Sequence, residues 1–250
     1  VSQEIIDLLK FGKEMYETTD GMINIAFGSV LSIWHDYREA GQSNPEKAQL
    51  PPMEVLEEAN RHTDIEQMII DEEASTVYLA DSAMRLDVGA IAKGYATEQT
   101  AKMLEEKGID HVLLDIGGNI RAAGDKPDGT LWRLGLQNPD LDSEKAYVHI
   151  IELAGTSLVT SGDYQRYYTV DGKRYHHIID PETLMPSDRF TDVSVIYDDS
   201  GISDALSTAL FNMDVDEGKA LAQSFGAEVL WIFQDGSETM TDGFAGYISE

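Results

Sequence analysis

Residues 164–179 read Tyr164-Gln165-Arg166-Tyr167-Tyr168-Thr169-Val170-Asp171-Gly172-Lys173-Arg174-Tyr175-His176-His177-Ile178-Ile179. The Asp171-Gly172 pair is a strong two-residue hairpin signal between two polar-aromatic strands, 164–170 and 173–179. With those two residues as the loop, Val170 pairs with Lys173, and pairing runs on through Tyr168–Tyr175 to Arg166–His177. Side chains alternate faces along a strand, so His176 and His177 point in opposite directions. His177 then shares a face with Arg166 and Tyr175.

Outward from this hairpin the pattern stays mixed. Upstream, strands are expected at 131–136, 147–152 and 156–160, with a buried strand Val112–Leu114 leading into Gly117-Gly118. A helix is expected over 90–107, ended by Gly108, and short alternating strands over 65–88. Ile5, Ile6, Leu8, Leu9 and Met15 recur at helical spacing and predict an amphipathic helix over 2–18. A mostly buried helix follows at 23–37, then a loop at 40–52 and a short acidic helix at 53–61 opened by Pro52. Downstream come a strand at 192–197, helices at 203–212 and 215–224, and two strands around Gln234-Asp235-Gly236. The alternation is not a regular βαβ series. It predicts an α+β fold, a mainly antiparallel sheet with helices packed on it, in one domain over 1–250. The 40–52 loop reads as internal.

The composition narrows the function classes. The chain has 250 residues, 42% of them hydrophobic, enough for a buried core. Eighteen basic against 46 acidic residues give a net charge of −28. So acidic a surface argues against nucleic-acid or anionic-membrane binding. Cysteine is absent, which excludes disulfides, thiolate metal sites and thiol nucleophiles. The longest apolar stretch, Ile23–Trp34, is too short and too mixed to span a bilayer.

Four segments concentrate chemistry. In Asp87-Val88-Gly89-Ala90-Ile91-Ala92-Lys93-Gly94-Tyr95 a strand ends, glycine turns the chain and a helix begins. A helix start offers backbone N–H groups and a positive dipole end to an anion, with Lys93 as a point charge. Taken alone, the segment reads first as an ordinary helix entry capped by Asp87, with Lys93 solvated. Asp115-Ile116-Gly117-Gly118-Asn119 suits a tight turn or a close ligand approach. The third segment spans Thr160-Ser161-Gly162-Asp163 to His176-His177-Ile178-Ile179-Asp180-Pro181, where His177 is a candidate base or phosphate donor. In Ser203-Asp204-Ala205-Leu206-Ser207-Thr208, Asp204 and Thr208 stand at i and i+4 on one helix face beside Ser207. A carboxylate with hydroxyls is a hard oxygen donor set suited to Mg²⁺; an acidic first turn with small core-facing residues is the alternative. The chain carries no P-loop, HExxH, GxSxG or GxGxxG.

Taken together, in order and in spacing, these segments resemble the ApbE-type flavin transferases (FAD:protein FMN transferases) across nearly the whole chain. The resemblance implies an α+β fold holding FAD, with Mg²⁺ at its pyrophosphate. It implies Asp204, Thr208 and the Ala90 backbone carbonyl as metal ligands. It implies Met22, Ile23, Asn24, Asp87, Lys93, Ser161, Gly162 and Ile178 as FAD contacts. His177 matches the family histidine often given a catalytic role, with Asp180 as its orienter or substitute. Two departures stand out. The family usually reads Gly-x-Phe-Asp-Pro-Thr where this chain has Gly21-Met22-Ile23-Asn24-Ile25-Ala26. After Asp180-Pro181 it usually reads Thr-Gly-x-Pro, where this chain has Thr183-Leu184-Met185-Pro186.

The implied activity is Mg²⁺-dependent transfer of FMN from FAD to a threonine hydroxyl of an acceptor protein, with release of AMP. The alternatives are an FAD pyrophosphatase giving FMN and AMP, and a non-catalytic FAD-binding protein. The resemblance further implies an acceptor that is a subunit of a membrane redox complex, and an extracytoplasmic location with a lipoprotein tether. The resemblance implies an upstream segment, expected to be missing here, with a lost signal or tether as the expected reason for the start at Val1.

Overall fold

The computed structural model describes residues 1–249 and resolves two compact units, Val1–Ala90 with Asp163–Ser187 and Ile91–Gly162 with residues 188–249. In chain order, α1 (Gln3–Thr18), α2 (Gly28–Ser43), α3 (Met53–Asn60), β1 (Met68–Asp71) and β2 (Thr76–Leu79) belong to the first unit. The second takes α4 (Ala92–Glu105), β3 (Val112–Ile116), β4 (Asn119–Ala123), β5 (Trp132–Gln137), β6 (Tyr147–Leu153) and β7 (Ser157–Gly162). The chain returns to the first unit for β8 (Tyr167–Val170) and β9 (Lys173–His176). It completes the second with β10 (Phe190–Tyr197), α5 (Ser200–Asn212), α6 (Val215–Phe225), β11 (Glu228–Phe233) and β12 (Glu238–Met240).

The second unit is built on a six-stranded sheet of order β12-β11-β10-β7-β4-β3, every neighbour antiparallel. The α+β, mainly antiparallel reading therefore holds. Strand alternation divides its apolar residues between two faces. Ala122, Leu158, Ile196, Leu230 and Ile232 pack with Leu134, Leu136, Ile151 and Leu153 of the β5–β6 ladder and with Phe244. The alternate residues, among them Val159, Val195, Val229 and Trp231, are also buried and point to the opposite face. There α5 packs on β7 and β10. Because α5 is covered almost all round, it is made of small residues, Ser203, Ala205, Ser207 and Ala209. It begins three residues before the predicted 203, because the Asp199 carboxylate accepts from the Gly201 and Ile202 N–H groups and caps it there.

In the first unit, Phe27, Val30, Trp34, Leu56, Tyr168, Ile179 and Leu184 form one core. Trp34 stacks on Tyr175 and donates its indole N–H to the Leu184 carbonyl at 2.9 Å. Three expectations need correction here. Residues 23–27 are not helical: the Asn24 side chain accepts from the Ala26 N–H at 2.8 Å and sets a turn, so α2 starts at Gly28. At its far end α2 runs to Ser43, inside the predicted loop, because its Gly41 seats the Tyr168 ring, 2.6 Å from where a Cβ would stand. In the hairpin, Val170 pairs with Lys173 and Tyr168 with Tyr175, but the ladder ends at Tyr167–His176. Arg166 and His177 lie just beyond it, unpaired as strand residues.

Candidate functional site

Within the second unit, Lys93, Asn119, Asp204, Ser161 and Thr208 come together. Two helices and a turn position them. Gly94 lets α4 meet α5: a Cβ there would stand 2.2 Å from the Ser200 carbonyl oxygen and 2.4 Å from the Asp204 Cβ. That approach lets the Asp204 carboxylate accept the Gly94 N–H at 2.8 Å. The first turn of α4 is thus occupied by the protein's own anion. The Asp87 cap expected from sequence is not formed. Asp87 accepts instead from Gly89 in a local turn, and the α4 N-cap is Ile91.

The Gly117-Gly118 turn joins β3 to β4, both glycines at positive φ, the conformation a two-residue hairpin needs. It delivers Asn119, whose amide oxygen accepts from Lys93 Nζ at 2.6 Å, while its Nδ2 is buried without a partner. Lys93 Nζ also reaches Asp204 at 3.3 Å. Burial pushes the Asp204 carboxyl above the usual range, while Lys93 and the Gly94 N–H pull it back. Ser161 on β7 bonds Ser207 at 2.8 Å and Thr208 at 3.4 Å. Gly162 continues β7, paired with Asp192, and is not a loop residue. Among the described residues no group of three or more His, Asp or Glu forms a metal cage. What stands here is a single buried carboxylate one helical turn from the Thr208 hydroxyl, a set that suits a hard cation sharing its remaining positions with water and phosphate. The sequence reading passed over Asn119 as a functional group; its position straight after the Gly-Gly turn was the available signal.

The first unit holds the remaining candidates. Met22 and Asn24 line an open cavity of about 200 Å³ with Tyr16, Phe27, Thr63 and Pro181. Ile23 is 1% exposed and is core. The Asn24 amide nitrogen donates to the Thr63 carbonyl at 2.9 Å. Asp87 N–H donates to the Ile25 carbonyl, which ties Asp87 to the same turn. Ala90 is the last residue of this unit. Ile178 is buried. His177 hydrogen-bonds the Arg166 backbone, and its Nδ1 is buried without a partner. Burial first, then the charges of Arg166, His176 and Arg38, bring its pKa down to about 3, so the ring is neutral at pH 7. Asp180 does not orient it. Its carboxylate accepts from the Glu182 and Thr183 N–H groups and closes the turn that ends in Leu184. At the position where the motif usually has glycine, Leu184 has φ +60°.

A lysine, hydroxyls and one buried carboxylate give the second unit's cluster a chemistry suited to phosphate. Its particular kind follows from comparison. The ApbE family model matches residues 1–231, and the chain belongs to the ApbE family. It is 34% identical to the FAD:protein FMN transferase of Klebsiella pneumoniae, over 88% of this chain and 66% of that protein. It is 33% identical to that of Treponema pallidum, over 94% and 67%. The chain thus spans about two thirds of the length of these curated relatives. Among solved structures, the ApbE protein of Thermotoga maritima superposes with a TM-score of 0.87 at 30% identity, covering 100% of this chain and 79% of that one. The flavin transferase ApbE of Vibrio cholerae gives 0.80 at 29%, covering 99% and 77%.

Proposed function

We propose that this chain transfers FMN from FAD to a threonine hydroxyl of an acceptor protein and releases AMP. One observation carries the reading: the Lys93–Asn119–Asp204 cluster with Ser161 and Thr208 is intact in a chain that belongs to the ApbE family. The acceptor oxygen attacks the FMN phosphorus, the bond from that phosphorus to the bridging oxygen breaks, and AMP leaves with that oxygen. The hydroxyl proton passes to His177, whose bare Nδ1 is the atom that can take it. Lys93 sets a positive charge where charge builds on the phosphoryl oxygens. Asp204 and Thr208 are the residues that would hold Mg²⁺, which, when bound, neutralises pyrophosphate charge and stabilises the leaving phosphate. Asn119 ties Lys93 in place. Met22 and Asn24 offer the flavin a cavity edge.

The family resemblance supports an acceptor in a membrane redox complex and an extracytoplasmic, membrane-tethered setting. No helix among the described residues is long and apolar enough to cross a membrane.

The test is a product analysis. The chain is incubated with FAD, Mg²⁺ and a threonine-containing acceptor domain, and AMP, free FMN and acceptor mass are read together. AMP matched by an FMN mass gain on the acceptor is expected. AMP with free FMN and an unmodified acceptor makes the chain an FAD pyrophosphatase. FAD retained without AMP makes it a binding protein.

A further inference from the structure

In a chain of net charge −28 carboxylates are plentiful, and several cations take one. Lys10 pairs with Glu72, Lys102 with Asp199, Arg121 with Glu98 and Arg133 with Glu152. Arg38 and Arg166 are among those that do not. Among the described residues neither has a carboxylate at ion-pair distance. The Arg38 guanidinium contacts His35 Nδ1 at 2.8 Å, and the nearby Glu39 is taken by the other nitrogen of that imidazole at 3.1 Å.

The fold brings these two like charges together. Arg38 and Gln42 stand at i and i+4 on one face of α2. Gln42 Nε2 donates to the Tyr167 carbonyl at 2.8 Å, directly beside Arg166. Tyr168, against Gly41, donates to the Gln49 carbonyl and fixes the same edge of the hairpin. Arg174 stacks over Tyr167 and adds a third cation to this edge. Of the charges bearing on Arg38, Arg166 acts most strongly, ahead of the opposing Glu39, and both arginines bear on His177. Two guanidinium groups on one edge, neither ion-paired with a carboxylate, repel. Each is a planar fork shaped for the two oxygens of a carboxylate or phosphate.

We propose that Arg38 and Arg166 hold an acidic side chain of the acceptor polypeptide beside His177. This rests on the transferase reading. A phosphate of FAD offers the same oxyanion chemistry, but the acceptor is favoured because the group that takes the acceptor's proton is itself bonded to the Arg166 backbone. Docking also has a consequence for that group. The anion offsets two of the charges that, after burial, weaken His177 as a base.

Two fluorescein-labelled peptides test it, built from glycine and serine around one threonine, one carrying two aspartates and its twin two asparagines. Binding is read by anisotropy, without turnover. The acidic peptide is expected to bind about 10-fold more tightly than its twin, against the repulsion of a −28 chain, with the preference fading in high salt. Arg38→Gln and Arg166→Gln each lower that preference about 3-fold or more, the double variant abolishes it, and Arg133→Gln leaves it unchanged. Equal binding of the twins to the wild type overturns the proposal, as does a preference that survives in the double variant. In turnover, the double variant should raise the KM for acceptor and leave the KM for FAD unchanged; a raised KM for FAD assigns the pair to a phosphate and overturns the proposal. A charge preference without any flavin transfer would refute the transferase reading alone.

Discussion

The cluster around Asp204 and the segments around His177 carry their charges in opposite ways. At Asp204, a carboxylate 4% exposed receives a backbone N–H and a lysine within one packed layer. Its geometry is set by two helices that cannot separate without losing the core. Around His177, Nδ1 lacks a partner, two arginines lack counter-ions and Leu184 sits at a φ that side chains resist. The first arrangement is complete as folded, apart from the buried Asn119 nitrogen. The second keeps unfilled valences and stored strain, the condition of groups that finish their bonding on a ligand.

The largest expected effect removes the centre of the complete region. Asp204→Ala should abolish Mg²⁺-dependent release of AMP and also leave the Gly94 N–H and Lys93 without their anion. Asp204→Asn separates the two roles. It keeps an acceptor for Gly94, so the melting temperature should stay near wild type while turnover is still lost by about 10³-fold or more. Turnover and metal dependence unchanged in both variants would remove Asp204 from the site.

His177→Gln should lower kcat by about 10²–10⁴-fold. The same variant probes the unfilled region by stability. The His177 pKa is about 3 folded against 6.5 for a free imidazole, so below pH 6.5 the unfolded chain binds a proton that the folded chain refuses. Stability from this residue is therefore complete above pH 6.5 and lost as pH falls toward 3, by at most about 1.4 kcal/mol per pH unit. His177→Gln should flatten that acid limb in a denaturation series from pH 7 to pH 4. Parallel limbs would mean that the ring is solvated.

What could be read in the sequence follows the same division. The complete region was legible because its contacts arise from local spacing: Asp204 and Thr208 one helical turn apart, and Gly117-Gly118 before a strand. Asn119 was missed because an amide carries no motif of its own. The closure of α4 on Asp204 was missed because it depends on Gly94 admitting a neighbouring helix, a tertiary fact. In the other region the Asp171-Gly172 turn fixed the hairpin register, yet the ladder ended one pair early. Helix α2 also began late and ended late, through the Asn24 turn and the Tyr168 ring on Gly41. Asp180 looked like a partner for His177 because the two are close in sequence; its carboxylate turned to the following backbone instead.

Backbone strain sharpens the contrast at a smaller scale. Gly94→Ala forces a Cβ into Ser200 and Asp204 and should cost about 1–3 kcal/mol, with activity falling because Asp204 moves. Leu184→Gly relieves a left-handed leucine, worth about 1–2 kcal/mol. It also empties a side chain 5% exposed in the Trp34 core, a loss of about 2–5 kcal/mol. The net should be a loss of about 1–3 kcal/mol by urea denaturation. A stabilised variant would mean that the strain outweighs the packing, and that leucine stands there for the site's sake.

The smallest effect concerns Asn24, where the motif usually has aspartate. An aspartate still accepts the Ala26 N–H, so the turn survives. It loses the donor to the Thr63 carbonyl and sets two oxygens against each other where a 2.9 Å bond now stands. Asn24→Asp should therefore cost about 1 kcal/mol in melting experiments at neutral pH. Lowering the pH should recover part of it, because a protonated carboxyl can donate to that carbonyl. Asparagine here thus answers to Thr63 as much as to a ligand. If Asn24→Asp changes the KM for FAD severalfold while stability is unmoved, the side chain serves the cavity and not the turn.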